Sequence, residues 1–360
     1  MAARSLASPW VGPAALAIAT VAIIAIGAGW VSGPLSWALA GVLLASVVAL
    51  VVAAIAGGPE VRRALAPYGL LKPGVLWLAL FFIAPLWSMF AMSLSEKESR
   101  FTLDAKFTWK ISNYSDAFSD NAGVFGRSFL YAGIATLLCI AIGYPLAYLI
   151  AFRGGRWRNV LLAAVVVPFF TSYLIRTLAW KSILADRGPV LGAIKRVPGL
   201  LDVLEWSPNV PGINQLLPII DNGRLLSTPA AVIGGLTYNF LPFMVLPIYV
   251  SLEKIDARLI DAARDLYSTS GRAFRKVVLP LSLPGVFAGS LLCFIPAAGD
   301  FVNAEFLGSP RTQMIGNVVQ GEFLTRSNYP TAAALSFILM AVITAGVLVY
   351  AKVLGTEELT

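Results

Sequence analysis

The side chains with chemical potential in this chain sit inside or beside long apolar runs. Asp300 and Glu305 close one such run. Tyr238, Asn239 and Phe240 lie near the middle of another, just ahead of Pro242, and Tyr173, Arg176 and Trp180 share a third. An ionisable group left unpaired at membrane depth costs several kcal/mol, so residues of this kind are functional by default. Carboxylates supply charge and aromatic rings supply a negative face, and both attract cations. The competing reading for the two acids is outer water, or a helix-fastening pair with a base such as Arg176. For the aromatic residues it is ordinary packing or a lipid interface. Pro242 removes a helical N–H and frees a carbonyl that can line a polar path. Arg176 is costly in its apolar run and would repel a cation, so it reads as a structural residue or a gate partner for an acid. Catalysis has little support. The chain has no histidine, which removes His-based acid–base work, His metal sites and the usual nucleophilic triads. The two cysteines, Cys139 and Cys293, fall in apolar runs and read as small membrane-core residues.

Holding these residues in place is the task of a polytopic membrane protein. Hydrophobic residues make up 58% of the 360 and charged residues only 13%, against roughly a quarter charged in a soluble domain. A spanning helix needs about 20 mostly apolar residues. Runs at 11–31, 36–56, 74–94, 128–152, 160–184, 228–250, 281–303 and 332–352 reach that length, so the chain is expected to be all-α with about eight spans. Arg4 ahead of the first run invites a signal-peptide reading. A small-residue cleavage site is not obvious and a second span follows at once, so both helices are expected to be retained. With the N-terminus in the cytoplasm, the inner segments collect Arg4, Arg62, Arg63, Lys72, Arg153, Arg156, Arg158, the cluster from Lys254 to Lys276, and Lys352. The other side is left close to neutral, which is the asymmetry that orients membrane proteins. Both termini are then cytoplasmic, and the net charge of +8 reports on orientation rather than on nucleic acid. The outer segments 95–127 and 185–227 are long and rich in Asn, Pro, Gly and mixed charge. They offer enough polar surface for a soluble partner, and Lys195 to Asn214 reads equally as short surface helices or as plain loop.

One inner segment, 253–280, is charged and helix-forming although apolar runs flank it. Ile255, Leu259, Ile260, Ala263 and Leu266 fall close to one helical face, while Asp256, Arg258, Asp261, Arg264 and Asp265 fill the rest. Ser268-Thr269-Ser270-Gly271 reads as a turn with a helix N-cap. A second short helix is expected over Arg272 to Val278, ending where Pro280 pushes Leu279 into an extended conformation. Two amphipathic helices joined by a turn make a knob that fits a groove on another protein. Spacing alone divides evenly between such a knob and a solvated loop with incidental helicity.

This segment resembles the coupling motif of type I ABC importer permeases, E-A-A-x3-G-x9-I-x-L-P. Asp261 stands at the motif's acidic position, Ala262 and Ala263 at its alanines, Val277 at its isoleucine, and Leu279 and Pro280 at its end, with the spacing retained. Tyr267 replaces the motif's glycine, and a tyrosine does not readily adopt positive φ, so the turn is expected to shift toward Gly271. Over residues 70–355 the resemblance is to the spermidine/putrescine permease branch. It is carried by Gly143 to Tyr148, Val167 to Thr171, Leu174 to Arg176, Leu241 to Pro247 and Pro296 to Gly308. It implies a six-helix importer core, with 1–60 as an added module of two further helices.

The resemblance also implies partners: two ABC ATPase subunits, a second homologous permease subunit and an extracytoplasmic substrate-binding protein. Asp261, Ala262, Ala263, Asp265, Leu266, Tyr267, Gly271, Leu279 and Pro280 would dock the ATPase. The chain has no phosphate-binding loop with a Gly-Lys-Ser/Thr ending. ATP and Mg are therefore expected on the partner ATPase, with no cofactor on this chain. For a polyamine cargo the expected path residues are Asp300, Glu305, Tyr238, Asn239, Phe240, Tyr173 and Trp180. Rival readings are the same importer with ferric iron, sulfate, thiamine or another organic cation, and, more distantly, a stand-alone secondary transporter. The latter would be expected to show an internal repeat, and no convincing one is found.

Overall fold

The computed structural model describes residues 71, 74–75, 77–97, 105–197, 220, 223–256, 258–259, 262 and 269–353. The expected spans at 11–31 and 36–56 lie outside these residues. So do Asp261, Ala263, Asp265, Leu266 and Tyr267 of the hairpin, and most of the stretch from Lys195 to Asn214. The chain forms two compact units, Met1–Asp116 with Ser327–Phe337, and Ala117–Arg326 with Ile338–Thr360.

In the first unit a π-helical turn over Ala79–Ile83 runs into helix α1, Ala84–Ser93. The apolar stretch Leu80–Ser93 is shorter than a full crossing. Strands β1 (Ser95–Lys97) and β2 (Ala105–Phe107) pair antiparallel, Ser95 opposite Phe107. Asn113 ties the end of α1 to the start of β1: its Nδ2 donates to the carbonyls of Ser93 and Ser95 at 2.9 Å. Part of the outer segment at 95–127 is therefore a pair of antiparallel strands.

In chain order the following helices are α2 (Ser112–Arg153), α3 (Arg158–Val166), α4 (Tyr173–Leu184), α5 (Pro189–Lys195), α6 (Pro229–Glu253), α7 (Ser270–Ala273), α8 (Leu279–Ala298), α9 (Val302–Leu307), α10 (Ile315–Gln320) and α11 (Tyr329–Val353). Among the described residues four helical stretches are long and apolar enough to cross a membrane: Ser112–Arg153, Pro229–Glu253, Gly271–Ala298 and Tyr329–Lys352. The run expected as one straight span at 160–184 is instead a pair of helices, Gly155–Phe170 and Tyr173–Lys195, bent by 96°. Thr171 (φ −82°, ψ 149°) and Ser172 (φ −55°, ψ 135°) leave the helical region there, after a tightened 3₁₀ turn that contains Pro168.

The core of the second unit is the seam between α6 and α8. Gly285, Gly289, Cys293 and Ala297 recur every fourth residue on α8, and all four are buried. This is the small-residue stripe that lets helices approach closely where lipid removes the hydrophobic drive to associate. A Cβ on Gly285 would lie 2.5 Å from the Pro247 carbonyl oxygen, and one on Gly289 would lie 2.8 Å from Met244 Sδ. The two thiols flank the proline-broken ladder of α6. Cys139 on α2 donates to the Thr237 carbonyl at 3.4 Å, and Cys293 to the Phe240 carbonyl at 3.2 Å.

Three sequence expectations change at the start and end of α8. Leu279 is helical (φ −60°, ψ −51°), not extended. The π-helical turn over Phe274–Val278 widens the backbone ahead of Pro280, which relieves the ring's clash and the missing donor that normally end a helix. Gly271 lies within α7 and carries no positive φ, so the shifted turn is not built on it. The run expected to reach 303 stops at Ala298, and Asp300 stands in the connection to α9.

Substituting Gly285→Leu is expected to destabilise the chain by about 1–3 kcal/mol through overpacking. The check is a lowered midpoint in thermal unfolding of the detergent-purified protein. Gly346→Leu, at a position where an added Cβ meets nothing within 4 Å, should leave the midpoint unchanged.

Candidate functional site

The break between α3 and α4 brings the first turn of α4 against α6 and the 299–303 connection, and a buried polar cluster forms there. Tyr173 donates its hydroxyl hydrogen to the Asp300 carboxylate. The Asn303 backbone N–H donates to Asp300 Oδ1 at 2.8 Å, and its Nδ2 reaches the same oxygen at 3.4 Å and Tyr173 Oη at 2.6 Å. Asn239 Nδ2 donates to Asn303 Oδ1 at 3.1 Å and to Thr177 Oγ1 at 3.4 Å. Asp300 is 8% exposed, Asn239 1% and Asn303 0%. The carboxylate is thus held by a phenol and by the opening of α9, not by a base.

Arg176 lies one turn beyond Tyr173 and is also buried. Its guanidinium carbon sits 4.3 Å from the Phe169 ring centroid and 5.7 Å from that of Tyr173, so its charge is offset by aromatic faces. Nε and Nη1 are buried without an acceptor. The expected gate pairing with an acid is not formed among the described residues. Tyr173 separates Arg176 from Asp300, touching one with its ring and the other with its hydroxyl.

The remaining path candidates fall in two further groups. Phe240 is buried and lies 6.4 Å from Tyr173 and 6.3 Å from Phe243, whose ring meets Phe169 edge-on at 5.2 Å. Trp180 and Tyr238 form their own edge-on pair at 5.2 Å, and both are half-buried. Glu305 does not join Asp300. It is exposed and accepts a hydrogen bond from Asn317 Nδ2 at 3.1 Å. The two acids that sequence proximity groups together therefore stand in different surroundings.

Asn303 and Thr177 were not singled out by sequence. An Asp followed three residues later by an amide, at the head of a short apolar helix, is the available signal for Asn303. Of the docking residues, Ala262 is helical and exposed, Gly271 is exposed, and Leu279 and Pro280 lie in the first turn of α8.

The chain has relatives among known proteins. The model of the family described as "Binding-protein-dependent transport system inner membrane component" matches residues 140–354. The spermidine/putrescine transport system permease protein PotB of Haemophilus influenzae is 38% identical over 272 residues, covering 74% of this chain and 87% of that one. PotB of Escherichia coli K12 is 35% identical over 276 residues, covering 76% and 92%. Among solved structures, a bacterial alginate ABC transporter in complex with an alginate pentasaccharide-bound periplasmic protein has a chain that superposes with a TM-score of 0.58. The identity is 15%, over 81% of this chain and 95% of that one, a likeness of fold.

Tyr173→Phe and Asn303→Ala each leave a buried polar partner short of a bond. Each is expected to cost about 1–3 kcal/mol, and the double variant less than the sum because both act on Asp300. Denaturant unfolding of the four proteins of the cycle measures this; strict additivity would contradict the shared cluster.

Proposed function

This chain belongs to the family of binding-protein-dependent transport system inner membrane components and is the permease subunit of an ABC importer, and we propose that its cargo is spermidine or putrescine. The identity to PotB over most of both chains carries that reading. A polyamine presents several ammonium groups on a flexible apolar chain. Exposed Glu305 offers it a carboxylate, and the half-buried Trp180–Tyr238 pair offers aromatic faces. Asp300, already bonded inside the polar cluster, sets the end of α8 and the entry of α4.

In this proposal the multi-pass chain keeps both termini in the cytoplasm and works beside a second, homologous permease. A stretch of 120 residues that is 32% identical to the PotC permease of Escherichia coli supports the idea that such subunits share one architecture. Cargo arrives on a binding protein at the outer face. Two ATPase subunits bind ATP and Mg below and grip the hairpin of 253–280. Closure of the ATPases draws the hairpins together, and the spans swing between outward- and inward-open states.

Two outcomes test this. Ala263→Asp puts a charge on the docking face and is expected to abolish ATP-driven spermidine uptake in proteoliposomes while the chain still inserts; normal uptake would end the docking assignment. Glu305→Gln is expected to weaken uptake several-fold with assembly on the ATPase intact, and unchanged uptake kinetics would take Glu305 off the cargo path.

A further inference from the structure

The segment 254–273 is fastened at its two roots to two different helices, and neither fastening belongs to the polar cluster. At the first root, where α6 ends at Glu253, Arg158 from the start of α3 forms an ion pair with Glu253 and donates from Nε to the Tyr249 hydroxyl. Its guanidinium carbon also lies 4.9 Å from the Tyr249 ring centroid. At the second root, Phe274 opens the π-helical turn and meets two rings of α2 edge-on, Tyr144 at 5.8 Å and Tyr148 at 5.8 Å. Tyr144 and Tyr148 are four residues apart, so they stack on one face of α2 and form a notch for a single ring. The Tyr144 hydroxyl is in turn 2.8 Å from Ser282 Oγ on α8.

The Arg158–Glu253 pair is poorly explained by stability alone. The Arg158 and Glu253 side chains are 31% and 47% exposed, and an ion pair that wet contributes little to folding. Its geometry is directional, however: one guanidinium engages a carboxylate, a hydroxyl and a ring of the same helix end. Edge-on aromatic contacts are directional as well. The π turn beneath Phe274 is a backbone form found mostly as single turns and often at functional positions. α3 leads through the Thr171–Ser172 break directly to Tyr173 and Arg176, so a pull on Arg158 is delivered to the element that carries the candidate path residues.

We propose that Phe274, seated between Tyr144 and Tyr148, and Arg158, clamped on Tyr249 and Glu253, are the positioning residues that turn displacement of segment 254–273 into movement of α2 and α3. This rests on the reading of 253–280 as the ATPase-docking hairpin, of which 254–273 is the part between the two fastenings. The two contacts divide the motion: Phe274 drives the long helix α2, and Arg158 drives α3 and, through the break, α4. They act on transport without touching ATP, cargo or the docking face.

The test uses the complete complex, both permeases with the ATPase and the binding protein, reconstituted in liposomes with spermidine as the probe. Three quantities are read: ATPase retained on purification, ATP hydrolysis stimulated by the loaded binding protein, and spermidine taken up per ATP hydrolysed. Phe274→Ala is expected to retain the ATPase and hydrolysis within about twofold, while uptake per ATP falls about tenfold. Phe274→Leu, which keeps apolar bulk in the notch, should recover most of that ratio. Arg158→Glu should lower the ratio too, and the reversed pair Arg158→Glu with Glu253→Arg should restore it. Unchanged uptake per ATP in Phe274→Ala and Arg158→Glu would overturn the proposal, as would loss of the ATPase from the Phe274→Ala complex, which would make Phe274 a docking residue. Should Phe274→Ala fail to accumulate, Arg158→Glu and its reversal decide. The docking reading fails separately, if Ala263→Asp keeps its ATPase and transports normally.

Discussion

Close approach of α6 and α8 is the constraint on which the second unit depends. No side chain fits at Gly285 or Gly289 without striking Pro247 or Met244, so the two helices meet almost backbone to backbone. In lipid, apolar burial does not pull helices together, and dispersion between closely packed surfaces has to serve instead. Once the seam is set, the end of α8 is set. The 299–301 turn then presents Asp300 to Tyr173, and Asn303 to Asn239 of α6. The polar cluster is thus a consequence of where small residues fall on α8.

Inside that cluster the balance of charge is uneven. Asp300 has donors enough from Tyr173 and Asn303 to remain buried. Among the described residues Arg176 has only ring faces, with two nitrogens lacking acceptors. Aromatic faces offset part of the cost of burying a cation but do not replace hydrogen bonds. Tyr173 holds the two charges apart, and it sits on the first turn after a 96° bend. A rearrangement at that bend would alter both environments together.

Much of this was legible in the sequence. Hydropathy located the long helices at 228–250 and 332–352 to within a few residues, because a spanning run leaves little latitude in length. The charged segment at 253–280 stood out against its apolar flanks for the same reason. What escaped has definite causes. The break at Thr171–Ser172 is two residues long, and a window of some twenty residues averages it away. The rule that a residue before proline is extended failed at Leu279 because a π turn absorbed the strain, a tertiary solution that local chemistry does not announce. Asp300 and Glu305 are five residues apart, yet α9 begins between them and sends them to different surroundings. Asn303 carries no charge and little hydropathy signal, so its part in holding Asp300 appears only when the helices are assembled. Phe274 reads in sequence as one more apolar residue, and only the placement of Tyr144 and Tyr148 shows what it contacts.

The two thiols carry a practical consequence. Cys139 and Cys293 are each 1% exposed, they are the chain's only cysteines, and both are engaged with carbonyl oxygens. Water-soluble maleimides attack thiolates at accessible positions and would pass these two by. The native polypeptide is therefore already a silent background for fluorophores or spin labels: a single cysteine introduced on any loop can be tagged alone, and the opening and closing of the machine followed without first stripping out residues that hold its interior together.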